Sequence, residues 1–349
     1  MVDYIVVGLG LGGVAFCEKL VENGKSFKVV SNHSTQASLV ASGLYNPIIL
    51  KRFTLAWKAD VQMTMLNTFY ERVAQRLNIT IDYKVPIYRR FASIEEQNNW
   101  FEAYDNAVLR QFLAPKIVAN GNLNIDAPFG LGEVQFTGRI DTKKLIKKYT
   151  TYLLERHLLC EESFDFEKLF FNGNTLNYKN IHAQNIVFAE GFGLKRNPYF
   201  QYLPLNGSKG ELLTIKAPSL KENSIIKSSV FLIPLGKDLY RIGSTYDWKD
   251  KTNKPTKDAK SELLRKLKTF VKCDFEVVAH VAGVRPTVTD RRALVGKHPK
   301  HPNLYVLNGF GSRGVLIAPY ASDLLFRFIE NTAQIDPEID IKRFEHHYH

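Results

Sequence analysis

Two glycine-rich segments frame this chain. Glycine at such spacing does one kind of chemistry: it brings backbone N–H groups up to phosphate. Val6-Val7-Gly8-Leu9-Gly10-Leu11-Gly12-Gly13 stands near the start. Ala282-Gly283-Val284-Arg285-Pro286, then Asn308-Gly309-Phe310-Gly311-Ser312-Arg313-Gly314, stands near the end. Gly8, Gly10 and Gly13 fit G-x-G-x-x-G. Gly8 allows the tight turn, Gly10 lets backbone approach a pyrophosphate, and Gly13 lets the next helix pack close. Leu11 and Gly12 stand where that helix begins, and its free N–H groups and positive dipole end suit phosphate. The alternative is a glycine-rich turn with no ligand. The motif's place between a strand and a helix favours the nucleotide.

The elements that must position this motif follow from the pattern. Residues 3–7 form a short apolar run stopped by glycine, which predicts a buried parallel strand. A helix is expected from about Gly12 to Glu22, ended by Gly24, and a second strand from Ser26 to Ser31. Such second strands usually end in Asp or Glu for the adenosine ribose. This one ends Ser31-Asn32-His33, so either Ser31 or Asn32 accepts that hydrogen bond without charge, and more weakly, or the strand end is shifted by a residue. The loop has no Arg for a 2′-phosphate.

Further along, helical patterns fall near 58–78, 94–111 and 141–157. Ile186 to Gly191 reads as another buried strand. Residues 208–216 and 229–245 alternate as closely spaced antiparallel strands. A lysine-rich helix fits 256–272, Leu304–Leu307 a core strand, and Pro319–Ile329 a closing helix. Parallel pieces lie at the start, middle and end, with antiparallel pieces between. That implies interleaved α/β domains rather than two units in series.

Composition bounds the function. The chain has 349 residues, 45% hydrophobic and 23% charged, enough for two domains. No run of about 18 apolar residues occurs, so no transmembrane helix or membrane partner is expected. The first strand begins too early for a signal peptide. Three cysteines without C-x-x-C spacing fit free thiols in a reducing compartment, so the cytoplasm is expected. Nine mostly scattered histidines give no metal site. The formal charge of +12 clusters at 143–148 and 249–268. It reads as solvated helix faces, or as attraction to acidic substrates or nucleic-acid phosphates. No recognisable nucleic-acid motif accompanies it.

Over essentially its whole length the chain resembles the FAD-dependent amine oxidoreductases of the D-amino-acid oxidase, glycine oxidase and sarcosine oxidase type. Ala37-Ser38 and Ala41-Ser42-Gly43 with Pro47 resemble the family's small-residue loop beside the flavin. Val187-Phe188-Ala189-Glu190-Gly191 resembles its V-x-A-x-G segment, and Lys209-Gly210-Glu211 its R-G-Q. Ile233-Pro234 with Ile242-Gly243-Ser244-Thr245 resembles its V-P … V-G-x-T hairpin. Gly283-Val284-Arg285-Pro286, Asp290, Leu294-Val295-Gly296 and Asn308 to Gly314 with Pro319 are the most specific part. Gly43 to Asp60 is also similar to the oxidase half of the bacterial bifunctional enzyme that modifies the tRNA wobble uridine.

The resemblance implies a Rossmann-like FAD-binding domain (1–60, 140–205 and 275–349) interleaved with an antiparallel-sheet substrate domain (61–139 and 206–274). FAD would be held by Gly8, Gly10, Leu11, Gly12, Gly13, Ser31, Asn32, Ala37, Ser38, Ser42, Gly43, Gly191, Gly309, Gly311, Ser312, Arg313 and Gly314. No cysteine lies between Pro286 and Gly311, where sarcosine oxidases attach flavin, so FAD is expected to be non-covalent. Arg285 would take the substrate carboxylate, a task that suits a permanently charged fork of donors. A structural ion pair is its alternative. Arg313 would assist flavin or substrate, or be a surface charge. Tyr246 would contact substrate, or be an ordinary core or surface tyrosine. Trp57 and Tyr45 could line the flavin or pack the core. No His or Glu stands out as a base, and an amine bound neutral needs none. The implied reaction is oxidation of the C–N bond of an amino acid or N-substituted glycine, with a small amine as substrate. The alternatives are a carboxymethylaminomethyl-uridine in tRNA, and flavin binding without turnover.

Overall fold

The computed structural model describes residues 1–32 and 36–348. Part of the polar stretch after the second strand, at 33–35, lies outside the described residues, as does the last histidine of the tail.

The helices are α1 (Leu11–Glu22), α2 (Gln36–Val40), α3 (Ala59–Leu77), α4 (Ile94–Asp105), α5 (Thr142–Glu155), α6 (Lys257–Leu267) and α7 (Gly314–Ile329). The site is positioned by strands β1 (Val2–Val7), β2 (Phe27–Val30), β3 (Leu44–Tyr45), β4 (Gly138–Ile140), β5 (Ile181–Phe188), β6 (Ser208–Lys216), β7 (Phe231–Gly236), β8 (Leu239–Gly243), β9 (Glu276–Arg285) and β10 (Leu304–Asn308).

In the first sheet, β2, β1, β5 and β10 run side by side and parallel. Val7 pairs with Val30 on one side and Phe188 on the other. These strands are apolar throughout because both faces are covered. Beneath one face α1, α3, α5 and α7 share a core with Leu20, Leu66, Tyr149 and Leu325. Above the other lie Phe200, Leu203 and Leu205. Buried Glu18 of α1 ties three helices together. It accepts from the Tyr149 hydroxyl of α5 at 2.8 Å and from Arg76 Nε of α3 at 3.1 Å.

The second sheet is built around a mostly antiparallel run of β9, β6, β8 and β7 and continues through the strands at 225–227, 87–90, 131–134 and 113–118. One face packs on α6 through Leu213, Ile242, Leu263 and Leu267. The far part of the other face packs on Trp100 of α4 and on Ile48, Leu50 and Phe53. Among the described residues no helix is long and apolar enough to cross a membrane.

Two elements differ from the sequence reading. The helix expected over 94–111 stops at Asp105, and a separate 3-10 turn occupies Leu109–Gln111. Asn106 ends the first and its side chain accepts from Val108 and Leu109 N–H to start the second. The closing helix begins at Gly314, five residues before Pro319. Proline has no N–H to give the Val315 carbonyl one turn back. The buried Tyr70 hydroxyl of α3 donates to that carbonyl at 3.0 Å and supplies the missing bond. Tyr70→Phe therefore leaves a buried carbonyl unpaired. It should lower unfolding stability by about 1–2 kcal/mol, read as a fall in denaturant midpoint at unchanged slope.

Candidate functional site

The cofactor residues expected from the sequence gather at the carboxyl ends of the parallel strands, where α/β sheets bind ligands. Gly8 follows β1, Ser31 and Asn32 follow β2, Gly191 follows β5, and Gly309 to Gly314 follow β10. A Cβ on Gly8 would lie 2.6 Å from the Ala189 carbonyl oxygen, and one on Gly13 would lie 2.0 Å from the Gly8 oxygen. No larger side chain fits where α1 crosses the strand ends. α1 therefore enters pressed against the sheet, with Gly10 as an N-cap that has no side chain of its own to offer.

α7 begins beside it. Its N-cap Arg313 offers no side-chain cap either. A Cβ on Gly314 would meet Leu11 Cδ1 at 3.1 Å, and one on Gly12 the Phe310 ring at 3.0 Å. Two helix N-termini thus lie side by side, and neither has an acidic residue in its first turn. Each presents N–H groups and a positive dipole end. Around them, Ser38 Oγ accepts from Leu11 N at 3.2 Å and the Gly191 carbonyl from Asn308 Nδ2 at 3.0 Å. Ala37 lies on α2, and Ser42 and Gly43 on the connection from α2 to β3. Ser312 is exposed on the turn before α7. Asn32 Nδ2 donates to Ser163 Oγ at 2.7 Å. This donor set, free of carboxylates at both helix ends, fits a cofactor with two phosphates.

Arg285 lies at the end of β9, and its guanidinium lies over β6. A Cβ on Gly210 would fall 1.8 Å from Nη2, so glycine there clears its path. Nη2 donates to Ser244 Oγ at 2.7 Å and to the Thr245 carbonyl at 3.3 Å. Tyr246 stacks on the guanidinium at 4.4 Å and is 59% exposed. Nη1 is buried with no hydrogen-bond partner among the described residues. Arg313 Nη1 donates to the Asn46 carbonyl at 2.8 Å. Burial pushes the pKa of both guanidiniums down, with the Tyr246 hydroxyl opposing it. Both stay charged. Among the described residues no carboxylate forms an ion pair with either. The structure thus brings Arg285, Tyr246 and Arg313 together. Tyr45 is buried, its hydroxyl donating to Asp82 at 2.7 Å. Trp57 packs edge-on to Tyr320 and donates to Glu338.

Sequence reasoning missed what stands behind Arg285. Lys209 is 1% exposed, with Nζ at 2.5 Å from Asp250 and 3.2 Å from Glu211. Glu211 also accepts from Thr256 N at 2.8 Å, and its backbone N–H donates to Thr245 Oγ. This network clamps the 244–256 segment, and with it Ser244 and Tyr246, onto β6. The K-G-E motif was the available signal. Glu190 was also missed. It follows β5 beside Gly8, accepts from Asn197 Nδ2 at 2.7 Å, and burial raises its pKa from 4.5 to about 7. A surface groove of about 740 Å³ between α3 and residues 78–84 contains none of these side chains.

A model of the DAO family, described as FAD dependent oxidoreductase, matches residues 3–327. The chain belongs to that family. It is 24% identical over 224 residues to the bifunctional tRNA 5-methylaminomethyl-2-thiouridine biosynthesis protein MnmC of Legionella pneumophila strain Corby, covering 51% of this chain and 33% of that protein. It is 23% identical over 159 residues to glycine oxidase of Bacillus subtilis strain 168, covering 44% and 42%. These alignments take in less than half the length of the curated relatives. The crystal structure of glycine oxidase from Geobacillus kaustophilus superposes with a TM-score of 0.80 at 18% identity, over 98% of this chain and 97% of that one. That likeness shows the fold.

Two outcomes follow from the cradle. Gly13→Ala forces α1 away from the strand ends and should abolish FAD retention through gel filtration while the protein stays folded by circular dichroism. Between pH 4.5 and 7 native Glu190 keeps a proton that the unfolded chain has released, so stability falls as pH rises. Glu190→Gln without flavin should be more stable than the parent at pH 8 by on the order of 2 kcal/mol. That difference should fade below pH 5 in paired melts.

Proposed function

We propose that this member of the DAO family oxidises the C–N bond of an amino acid or N-substituted glycine. The observation that carries the reading is the unpartnered buried Nη1 of Arg285. A guanidinium held by Ser244 and Thr245, with no carboxylate of its own, is set to take one from a substrate. Residues 8–13, Ser38, Ser42, Gly43, Gly191 and 309–314 would hold the FAD, without a covalent bond. Bound flavin supplies a two-electron acceptor that takes the substrate's C–H as hydride, leaving an imine that water hydrolyses.

The chain's own residues do the rest. Arg285 fixes the carboxylate, and Tyr246 covers the outer face of the guanidinium. The pair of cations, Arg285 and Arg313, disfavours an ammonium beside them and so favours the neutral amine that oxidation needs. The α7 N-terminus stabilises negative charge that develops at the cofactor.

A second reading rests on the likeness to the bifunctional tRNA-modifying protein and on the surface. Exposed Lys249, Lys254, Lys257, Lys260 and Lys268 run from beside Tyr246 along α6. A carboxymethylaminomethyl group on tRNA is itself an N-substituted glycine, so Arg285 serves either substrate. tRNA binding would weaken steeply with salt, whereas small-amine turnover would not.

The test is the visible spectrum of the purified protein, then anaerobic addition of amino acids, N-methylglycine and N-carboxymethyl amines. Bleaching by one class is expected, and Arg285→Met should lower kcat/KM for it by about 10²–10³-fold. Protein that cannot be reconstituted with FAD overturns the reading. Bound flavin bleached by no small amine shifts it to the tRNA substrate.

A further inference from the structure

Two more arginines stand on the substrate side of the second sheet. Gly210, Leu212 and Thr214 alternate onto one face of β6, the face that the Arg285 guanidinium covers at Gly210. Arg241 of β8 lies directly opposite Thr214, and on its other side opposite Ile233 of β7. It therefore shares that face. Its Nη1 donates to the Val40 carbonyl at the end of α2 at 3.3 Å. Arg139 of β4 is directly opposite Leu44 of β3, and Leu44 packs into the core on that same face. Its guanidinium stacks on Tyr83 at 4.8 Å.

The Nε atoms of Arg139 and Arg241 are both buried with no hydrogen-bond partner, and among the described residues neither arginine forms an ion pair. Burial first, and then the nearby Arg139 charge, lower the pKa of Arg241, with Asp141 opposing them. Asp141 is near enough to act on Arg241 but forms no ion pair with it, so both arginines keep an unpaired buried donor. Arg285 touches Ser244, which directly follows β8, three residues along the chain from Arg241.

We propose that Arg241 and Arg139 form a second anion-recognition point beside the Arg285 site, so that the substrate is an amine with a second carboxylate distal to the one Arg285 takes. This rests on the amine-oxidising reading above. Arg285 alone accepts any carboxylate. Arg241 and Arg139 select by the length of the arm that reaches them.

The experiment compares flavin-loaded parent, Arg241→Met and Arg139→Met. Apparent affinity is read from anaerobic bleaching with N-methylglycine and with N-carboxymethyl amines ending in a carboxylate after one, two or three methylenes. In the parent at least one dicarboxylic amine should bind about 10–100-fold tighter than N-methylglycine, and each variant should cut that ratio at least fivefold. An equal preference in parent and variants overturns the proposal. So does a variant that loosens FAD without changing the ratio, since it assigns the arginine to the cofactor. Glutarate and butyrate, which have no amine to oxidise, are compared by thermal melting. If no amine bleaches the flavin, the functional reading fails and the glutarate data still judge the arginines. Stabilisation by glutarate beyond butyrate that Arg241→Met removes supports the site. No such stabilisation in the parent, or its persistence in the variant, overturns it.

Discussion

The close crossing of backbones at Gly8 and Gly13 sets the geometry of everything around it. With the Gly8 oxygen where a Gly13 side chain would otherwise stand, and Ala189 against Gly8, α1 has one way to lie on the parallel sheet. That fixes where its N-terminus points. α7 reaches the same place because Gly314 and Gly12 let its first turn pack on Leu11 and Phe310. Two half-charges of the same sign then sit side by side with no acid between them. Such an arrangement is electrostatically unfavourable until an anion arrives, which is why the cradle reads as a binding site and not as a packing solution.

The same logic extends to the second sheet. Arg285 is braced on one side by Ser244 and Thr245, and that segment is in turn clamped by the buried Lys209, Glu211 and Asp250 network. Here the fold pairs its charges fully. One residue further along β6, on the opposite face, it leaves Arg285 with an orphaned donor. Burial costs a charge heavily unless it is paired. The contrast between the two faces of one strand therefore separates the network that builds the sheet from a guanidinium that the described residues leave with an unpaired donor.

The parts that were legible in the sequence are the local ones. The strand, glycine turn and helix at the start occupy about twenty consecutive residues, and each step constrains the next. The pairing of Arg285 with Ser244 spans 41 residues and appears only once β6 brings β8 and β9 together. Arg241 and Arg139 carry no local mark. An arginine in an alternating strand looks like a solvated face until the register puts it opposite Thr214 or Leu44. Pro319 misled for the opposite reason. Its local signal is to start a helix, and the tertiary contact from Tyr70 lets it stand one turn inside one instead.

The absence of an acid at the end of β2 fits the same electrostatic plan. Asn32 there donates to Ser163, and the carboxyl of Glu190, beside Gly8, is held by burial at a pKa of about 7, so half of it is uncharged near neutrality. Among the described residues no acid stands in the first turn of α1 or α7, and none forms an ion pair with Arg285 or Arg313. A site so biased would lower the proton affinity of an amine placed beside it and attract carboxylates. On the proposed amine-oxidising reading, such a field would let a bound amine lose its proton to solvent without a dedicated base.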